Sequence, residues 1–241
     1  MIASKQTHPN VLAIIPCRRG SKRLPGKNMR VLCGRPLLDY TVVQAYESTA
    51  VDSVIVTTDD LEVAARVAKL GCPVPFMRPA ELATDDASTA GTVLHALDWY
   101  RAANGSDPDI LIMLQVTSPL RPRASIEKAI ELLSENPTAT AVVGVRRLGV
   151  GADKIFAETE SNAYLDRFPL SSPRQLFVPN GAMYAIRTST FRDGLNFIPA
   201  RTLAMHFSPQ TSVDIDTEDD FLMADALMSQ GLSDAKYALP F

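Results

Sequence analysis

Short continuous apolar runs alternate along this chain with longer stretches in which apolar residues recur every three or four positions. The run Val11-Leu12-Ala13-Ile14-Ile15-Pro16 predicts a buried first strand, and the Gly/Pro/Lys/Arg-rich segment after it an exposed loop. Pro36 opens a segment in which Leu37, Leu38, Tyr40, Thr41, Val42, Ala45 and Tyr46 suit an amphipathic helix. Residues 53–58 read as a β-rich strand. Asp59 is expected to cap the next helix, with Leu61, Ala64, Ala65 and Ala68 on one face and Gly71 at its end. Residues 73–77 then predict a short strand, 92–103 a helix carrying His95 and Trp99, and 110–114 a strand buried on both faces. A helix over 125–136, with Ile126, Ala129, Ile130 and Leu133 inward, leads to a strand over 140–145.

From about 146 to 178 this rhythm fails. Gly149, Gly151, Pro169, Ser171, Ser172 and Pro173 are scattered among short apolar pieces, so the segment reads as an excursion from the core. Its Ile155, Phe156, Tyr164, Leu165, Phe168 and Phe177 call for burial against something. Strands resume at 182–186 and 203–207. Residues 212–215 lead to a last helix, where Thr217 and Asp220 form a capping-box pattern and Gly231 closes the end. Residues 1–10 show no periodicity. Alternating strands and helices joined by right-handed crossovers predict an α/β, Rossmann-like, mainly parallel sheet flanked by helices. At 241 residues and 46% hydrophobic content, one domain over 1–241 is expected, with 146–178 inserted in it.

Charge is laid out unevenly. No Asp or Glu precedes Asp39, while Arg18, Arg19, Lys22, Arg23, Lys27, Arg30 and Arg35 crowd the start. Asp214, Asp216, Glu218, Asp219 and Asp220 cluster near the end. Cations without a local counter-ion call for an anion, and Gly20 and Gly26 let backbone N–H groups approach a phosphate. The loop is not a Walker A loop, because Gly20 to Gly26 has one residue too many and Asn28 stands where a Ser or Thr would bind magnesium. No Rossmann G-x-G-x-x-G is present either. A solvated surface loop or a nucleic-acid contact would leave the ending Leu24-Pro25-Gly26-Lys27-Asn28 unexplained. The net charge of −3 also argues against nucleic acid.

Cys17, Cys33 and Cys72 lack C-x-x-C spacing, which argues against a disulfide framework or a zinc site. Cys17 reads as strand-end packing, with no histidine near in sequence to activate it. His8, His95 and His206 are too scattered to form a set. With no signal, lipidation motif or apolar run of about 18 residues, a soluble cytoplasmic protein without a membrane partner is expected.

The stretch Arg18-Arg19-Gly20-Ser21-Lys22-Arg23-Leu24-Pro25-Gly26-Lys27-Asn28 resembles the nucleotide-binding loop of the CMP-sialic acid synthetases (acylneuraminate cytidylyltransferases). The resemblance implies a nucleotidyltransferase (GT-A-like) fold in which Arg18, Lys22 and Lys27 hold CTP phosphates and Asn28 contacts the ribose. Val213-Asp214-Ile215-Asp216-Thr217-Glu218 is similar to that family's I-D-I-D-T-E. Two carboxylates at i and i+2 can bind a hard cation if the strand ends or twists there, so Asp214 and Asp216 are candidate Mg2+ ligands. Glu218, Asp219 and Asp220 read instead as complements to the amino-terminal dipole of the last helix.

Three further motifs carry the same resemblance. Leu114-Gln115-Val116-Thr117-Ser118-Pro119-Leu120-Arg121 is an ordinary strand-to-loop transition by itself, but is similar to the family's sugar-site motif, which implies Gln115 at the acceptor with Thr117 and Ser118 nearby. Residues 78–89 read as the start of a helix, with Asp85 and Asp86 as caps. The family's base and ribose segment implicates Arg78 and the Ala87 backbone at cytosine and Thr89 at ribose. Asn180-Gly181-Ala182-Met183-Tyr184 resembles N-G-A-x-Y, implying that Asn180 and Tyr184 line the sugar pocket, with Phe197 either a pocket wall or core. Arg174-Gln175 lies closer to Asn180 than the family's R-Q pair, so Arg174 either binds the sugar carboxylate or has lost that role. The implied reaction is transfer of CMP from CTP to N-acetylneuraminate, legionaminate or another nine-carbon acid. The implied assembly is a homodimer whose contacts lie in the excursion. A silent module that binds CTP or a CMP-sugar is the alternative; another nucleotidyltransferase would be expected to show an A-x-G-x-G-x-R-M-G loop, which is absent.

Overall fold

A computed structural model describes residues 8–72, 74–149, 156–158, 165–167 and 176–231. Ten strands and six helices are described: β1 (Val11–Pro16), β2 (Val31–Leu32), β3 (Arg35–Pro36), α1 (Leu37–Glu47), β4 (Ser53–Thr57), α2 (Leu61–Lys69), α3 (Thr89–Asn104), β5 (Ile110–Leu114), α4 (Ser125–Glu135), β6 (Ala141–Arg147), β7 (Phe156–Glu158), β8 (Leu165–Arg167), β9 (Phe177–Arg187), α5 (Thr188–Gly194), β10 (Thr202–Phe207) and α6 (Glu218–Ser229). Six strands form one sheet in the order β10-β6-β9-β5-β1-β4. All its pairings are parallel except those of β9, which runs antiparallel to both β5 and β6.

The period of two along β1 decides the layering. Val11, Ala13 and Ile15 enter a core with α1, α2, α4 and α6, while Leu12 and Ile14 enter a second core with α3 and α5. From β1 the chain moves out to the edge strand β4, then returns to β5 on the other side of β1. A crevice opens at such a reversal, outside the carboxyl ends of the strands.

The structure corrects several sequence expectations. Helix α1 is not amphipathic: Leu37 through Ala45 are all buried. The polar side chains Asp39, Thr41 and Gln44 there are satisfied internally, Asp39 by Arg66, Thr41 by donating to the Gln115 carbonyl at 3.3 Å and Gln44 by donating to the carbonyl of Arg121 at 2.7 Å. In α2 the predicted face is the wrong one. Leu61 is 75% exposed, and the side turned to the core is Val63 and Val67. Asp60 rather than Asp59 caps this helix, accepting from the Glu62 N–H at 2.9 Å. The strand expected over 73–77 reduces to a single parallel bridge between Met77 and Thr58. Helix α3 begins three residues before its expected start, because Ser88 accepts from the Gly91 N–H.

The expected strand over 182–186 is the second half of an eleven-residue strand. Of the excursion, Arg146 and Arg147 still pair with Val178 and Phe177, and β7 pairs antiparallel with β8. Leu148 donates its backbone N–H to the Leu176 carbonyl at 2.9 Å, and positions 150–155, 159–164 and 168–175, including Arg174, lie outside the described residues. Gly144 marks a register shift between β6 and β9, where a Cβ would come within 2.7 Å of Asn180 Oδ1.

Candidate active site

The loop after β1 is tied down at both ends. Cys17 donates its backbone N–H to Thr57 at 3.0 Å and is buried, which pushes its thiol pKa up to about 12. Cys17 therefore packs and does not react. At the far end Leu24 plugs into the core, Gly26 takes the left-handed backbone (φ 66°), and Lys27–Met29 forms a 3-10 turn. Asn28 donates to the Arg18 carbonyl at 2.9 Å, closing the loop on itself.

Arg18, Lys22, Arg23, Lys27 and Arg30 find counter-ions that lie far away in sequence. Arg18 donates to Asp85 Oδ1 at 3.0 Å, and Lys22 lies 2.6 Å from Asp85 Oδ2. Arg23 and Lys27 share Asp216, at 2.7 and 2.8 Å, and Arg30 pairs with Glu218 while stacking over the Phe221 ring. The Arg30 guanidinium holds the Glu218 carboxyl below the usual range. Asp85 is thus no cap, as the sequence suggested, but a partner from the opposite wall.

The carboxylate pair sits where β10 hands over to α6. The Ile215 N–H donates to the Thr117 carbonyl at 2.8 Å, docking this segment against the end of β5. Thr217 and Asp220 form the expected capping box, which starts α6 immediately after the pair. Burial pushes the Asp214 carboxyl pKa up, opposed by a hydrogen bond with Thr117, and Asp214 Oδ1 is buried without a hydrogen-bond partner. Among the described residues no group of three or more His, Cys, Asp or Glu gathers as a metal site. An orphaned buried carboxylate oxygen beside a second carboxylate nevertheless fits a hard cation that keeps most of its shell as water and phosphate.

Gly181 packs against this corner with φ +74°. A Cβ there would lie 2.7 Å from Gln115 Oε1 and 3.1 Å from Asp214 Oδ2. The third wall follows β4. Buried Arg78 donates to Thr57 Oγ1 at 3.2 Å and to the Thr57 carbonyl, and its pKa is lowered by burial. Residues 83–86 then turn into α3.

These walls enclose a cleft of about 650 Å³, within the size of ordinary ligand sites. Of the residues singled out in the sequence, Arg18, Lys22, Lys27, Asn28, Arg78, Ala87, Thr89, Gln115, Thr117, Asp214 and Asp216 line it. Thr89 and Gln115 also open onto a second depression of about 420 Å³, walled by Met113, Tyr184, Leu195, Asn196, Phe197 and Ile198. Tyr184 and Phe197 pack ring to ring there, 5.5 Å apart.

Two singled-out residues are set back from both depressions. Ser118 is fully buried with its hydroxyl unpartnered. Asn180 is buried, donating to Ser212 Oγ at 3.1 Å and accepting from the Ala182 N–H at 3.1 Å. Sequence reasoning counted Arg23 only among the loop's cations and missed Asp85 and Arg121 as parts of the site. Buried Arg121 donates to the carbonyls of Gln115 and Ala182 at 2.8 and 2.7 Å, and so holds the end of β5 against β9. Its signal was its place in the strand-end motif, and that of Asp85 its place in the segment over 78–89.

A cation loop facing two carboxylates, at the carboxyl edge of a mainly parallel sheet, is the arrangement of a nucleotidyltransferase. The sequence matches the family model described as cytidylyltransferase over residues 12–167, and the chain belongs to that family. Similar proteins include the CMP-N,N'-diacetyllegionaminic acid synthase of Legionella pneumophila, 30% identical over 226 residues, covering 90% of this chain and 96% of the relative. The N-acylneuraminate cytidylyltransferase of Escherichia coli is 33% identical over 220 residues; the match covers 89% of this chain but only 51% of that longer protein. Among solved structures, a CMP:2-keto-3-deoxy-manno-octonic acid synthetase complexed with CTP superposes with a TM-score of 0.68 over 92% of this chain and 99% of that one. At 20% identity this likeness speaks to the fold.

Proposed function

We propose that this chain transfers CMP from CTP to the anomeric hydroxyl of a nine-carbon acidic sugar, giving a CMP-sugar and pyrophosphate. The observation that carries the reading is the meeting of the cation loop with Asp214 and Asp216 in one cleft, which adjoins a second, partly apolar depression. In this reading Arg18, Lys22 and Lys27 hold the triphosphate, with Asn28 and Thr89 at the ribose and Arg78 and the Ala87 backbone at the cytosine. Gln115, Thr117 and Tyr184 face the acceptor, and Leu195, Phe197 and Ile198 suit its N-acyl substituents. Ser118 and Asn180 act from behind, shaping the strand ends. Arg174 is kept as a candidate for the sugar carboxylate.

The sugar oxygen forms a bond to the α-phosphorus as the bond from that phosphorus to the β-bridging oxygen breaks, and pyrophosphate carries away the charge. The hydroxyl proton passes to a carboxylate of the Asp214/Asp216 pair or to water. Positioning and charge neutralisation supply most of the rate. Asp214 and Asp216 would hold a magnesium ion, which supplies neutralisation of the phosphate charge. For Asp216 this means exchanging its pairing with Arg23 and Lys27. The same reading includes a homodimer joined through the 146–178 excursion and a cytoplasmic location. Among the described residues no helix is long and apolar enough to cross a membrane.

The similarity to an N-acylneuraminate cytidylyltransferase and to a CMP-N,N'-diacetyllegionaminic acid synthase supports an N-acylneuraminate or N,N'-diacetyllegionaminate as acceptor. Pyrophosphate release from CTP and magnesium, measured with N-acetylneuraminate, legionaminate, pseudaminate and Kdo in turn, tests the reading. Release with one nine-carbon acid supports it and names the acceptor. CTP binding without release for any acceptor would favour a silent binding module.

A further inference from the structure

Asp85 faces the cation loop from the opposite wall of the cleft. Its turn is held on one side by buried Arg78, whose backbone N–H donates to the Thr58 carbonyl at 2.7 Å, and on the other by the Ser88 cap of α3. From there each carboxylate oxygen takes one cation, Oδ1 that of Arg18 at 3.0 Å and Oδ2 that of Lys22 at 2.6 Å. The Thr84 carbonyl accepts from the same Arg18 nitrogen at 3.0 Å. All four residues line the cleft. One anion bridging an arginine and a lysine is also how a phosphate group would engage them. Lys22, and after it Arg18, hold the Asp85 carboxyl below the usual carboxylate range, so it stays charged.

We propose that Asp85 is an internal counter-ion that competes with polyphosphate for Arg18 and Lys22, and thereby sets how tightly the triphosphate of CTP and the departing pyrophosphate are held. The proposal rests on the reading that these two cations bind CTP phosphates. With Asp85 at 44% side-chain exposure and Lys22 at 80%, each ion pair is screened by water, and a multiply charged anion can displace it. After displacement the carboxylate remains in the cleft as a fixed negative charge, weakening the hold on any anion beside it. Asp85 thus acts through Arg18 and Lys22 as a positioning residue that favours product release over tight binding.

The test is a calorimetric titration of inorganic pyrophosphate, without metal, into wild type, Asp85→Asn, Asp85→Glu and Lys22→Ala at two salt concentrations. Asp85→Asn is expected to bind roughly three- to tenfold tighter than wild type, with a steeper loss of affinity on adding salt. Asp85→Glu keeps wild-type affinity, Lys22→Ala binds more weakly, and all four share one thermal midpoint within a few degrees. Asp85→Asn binding no tighter than wild type while Lys22→Ala weakens, or Asp85→Glu matching Asp85→Asn, overturns the competition. Wild-type binding that Lys22→Ala leaves unchanged, or no binding to wild type, overturns the phosphate assignment and the proposal with it.

Discussion

Lys27 Nζ lies 2.8 Å from Asp216 Oδ1, joining the loop after the first strand to the segment before the last helix across 189 positions of sequence. The same ammonium donates to the Ile215 carbonyl at 3.2 Å. The cation loop and the acidic pair are therefore one site, and each can be probed through the other.

Lys27→Ala removes the charge proposed to face the triphosphate, while Arg23 still pairs with Asp216 and the loop keeps its Leu24 anchor. Turnover is expected to fall roughly 10²- to 10³-fold, the scale of losing one group that stabilises developing charge. The thermal midpoint should stay within a few degrees of wild type. Steady-state kinetics and a melting curve on the same preparation check both; a folded, fully active variant would falsify the phosphate assignment.

Asp216→Asn and Asp214→Asn each remove a proposed magnesium ligand. Both are expected to raise the magnesium concentration needed for half-maximal rate, or to abolish turnover. Rate measured against added magnesium at saturating CTP decides, and an unchanged magnesium dependence would return the residue to a structural role.

Gly181→Ala combines two penalties. At φ +74° a side chain adds strain of about 1–2 kcal/mol, and the new methyl would meet Gln115 Oε1 and Asp214 Oδ2. Lower stability in urea and reduced turnover are both expected, because the same methyl displaces the carboxamide and the carboxylate. Turnover unchanged beside normal stability would show that this corner relaxes without consequence.

Alkali should destabilise the fold from about pH 9. Burial raises the pKa values of Cys17 and Tyr40 to about 12 and moves those of Cys72 and Tyr46 the same way. A raised pKa means that the folded chain keeps protons which the unfolded chain releases. The contribution to stability is thus full below the unfolded pKa and is lost as pH rises through the folded one. Each such group costs up to about 1.4 kcal/mol per pH unit in that window. Urea midpoints between pH 8 and 11 should fall for wild type and fall less steeply for Cys17→Ala. Parallel slopes would mean that Cys17 ionises in both states alike.

Much of the fold was legible because it depends on near neighbours. The unbroken apolar runs of β1 and β5 can only be central strands, and Thr217 with Asp220 reports a helix start from four adjacent residues. For α2 the same method failed, since Leu61/Ala64/Ala65/Ala68 and Val63/Val67 both fit a helical stripe. Periodicity finds the stripe but does not say which side meets the sheet.

By itself, then, the sequence determined the alternation of strands and helices, the glycine- and lysine-rich loop after β1, and the motif residues that belong at strand ends. Only the tertiary structure decided that β9 runs antiparallel between β5 and β6, that Asp85 and Asp216 divide the loop's cations between them, and that Gly181 must leave room for Gln115 and Asp214. The physical reason is separation along the chain. Turn, cap and stripe are selected by residues within a few positions, whereas strand order and ion-pair partners are selected by which distant surfaces bury apolar area together, leaving charges to find counter-ions wherever that packing puts them.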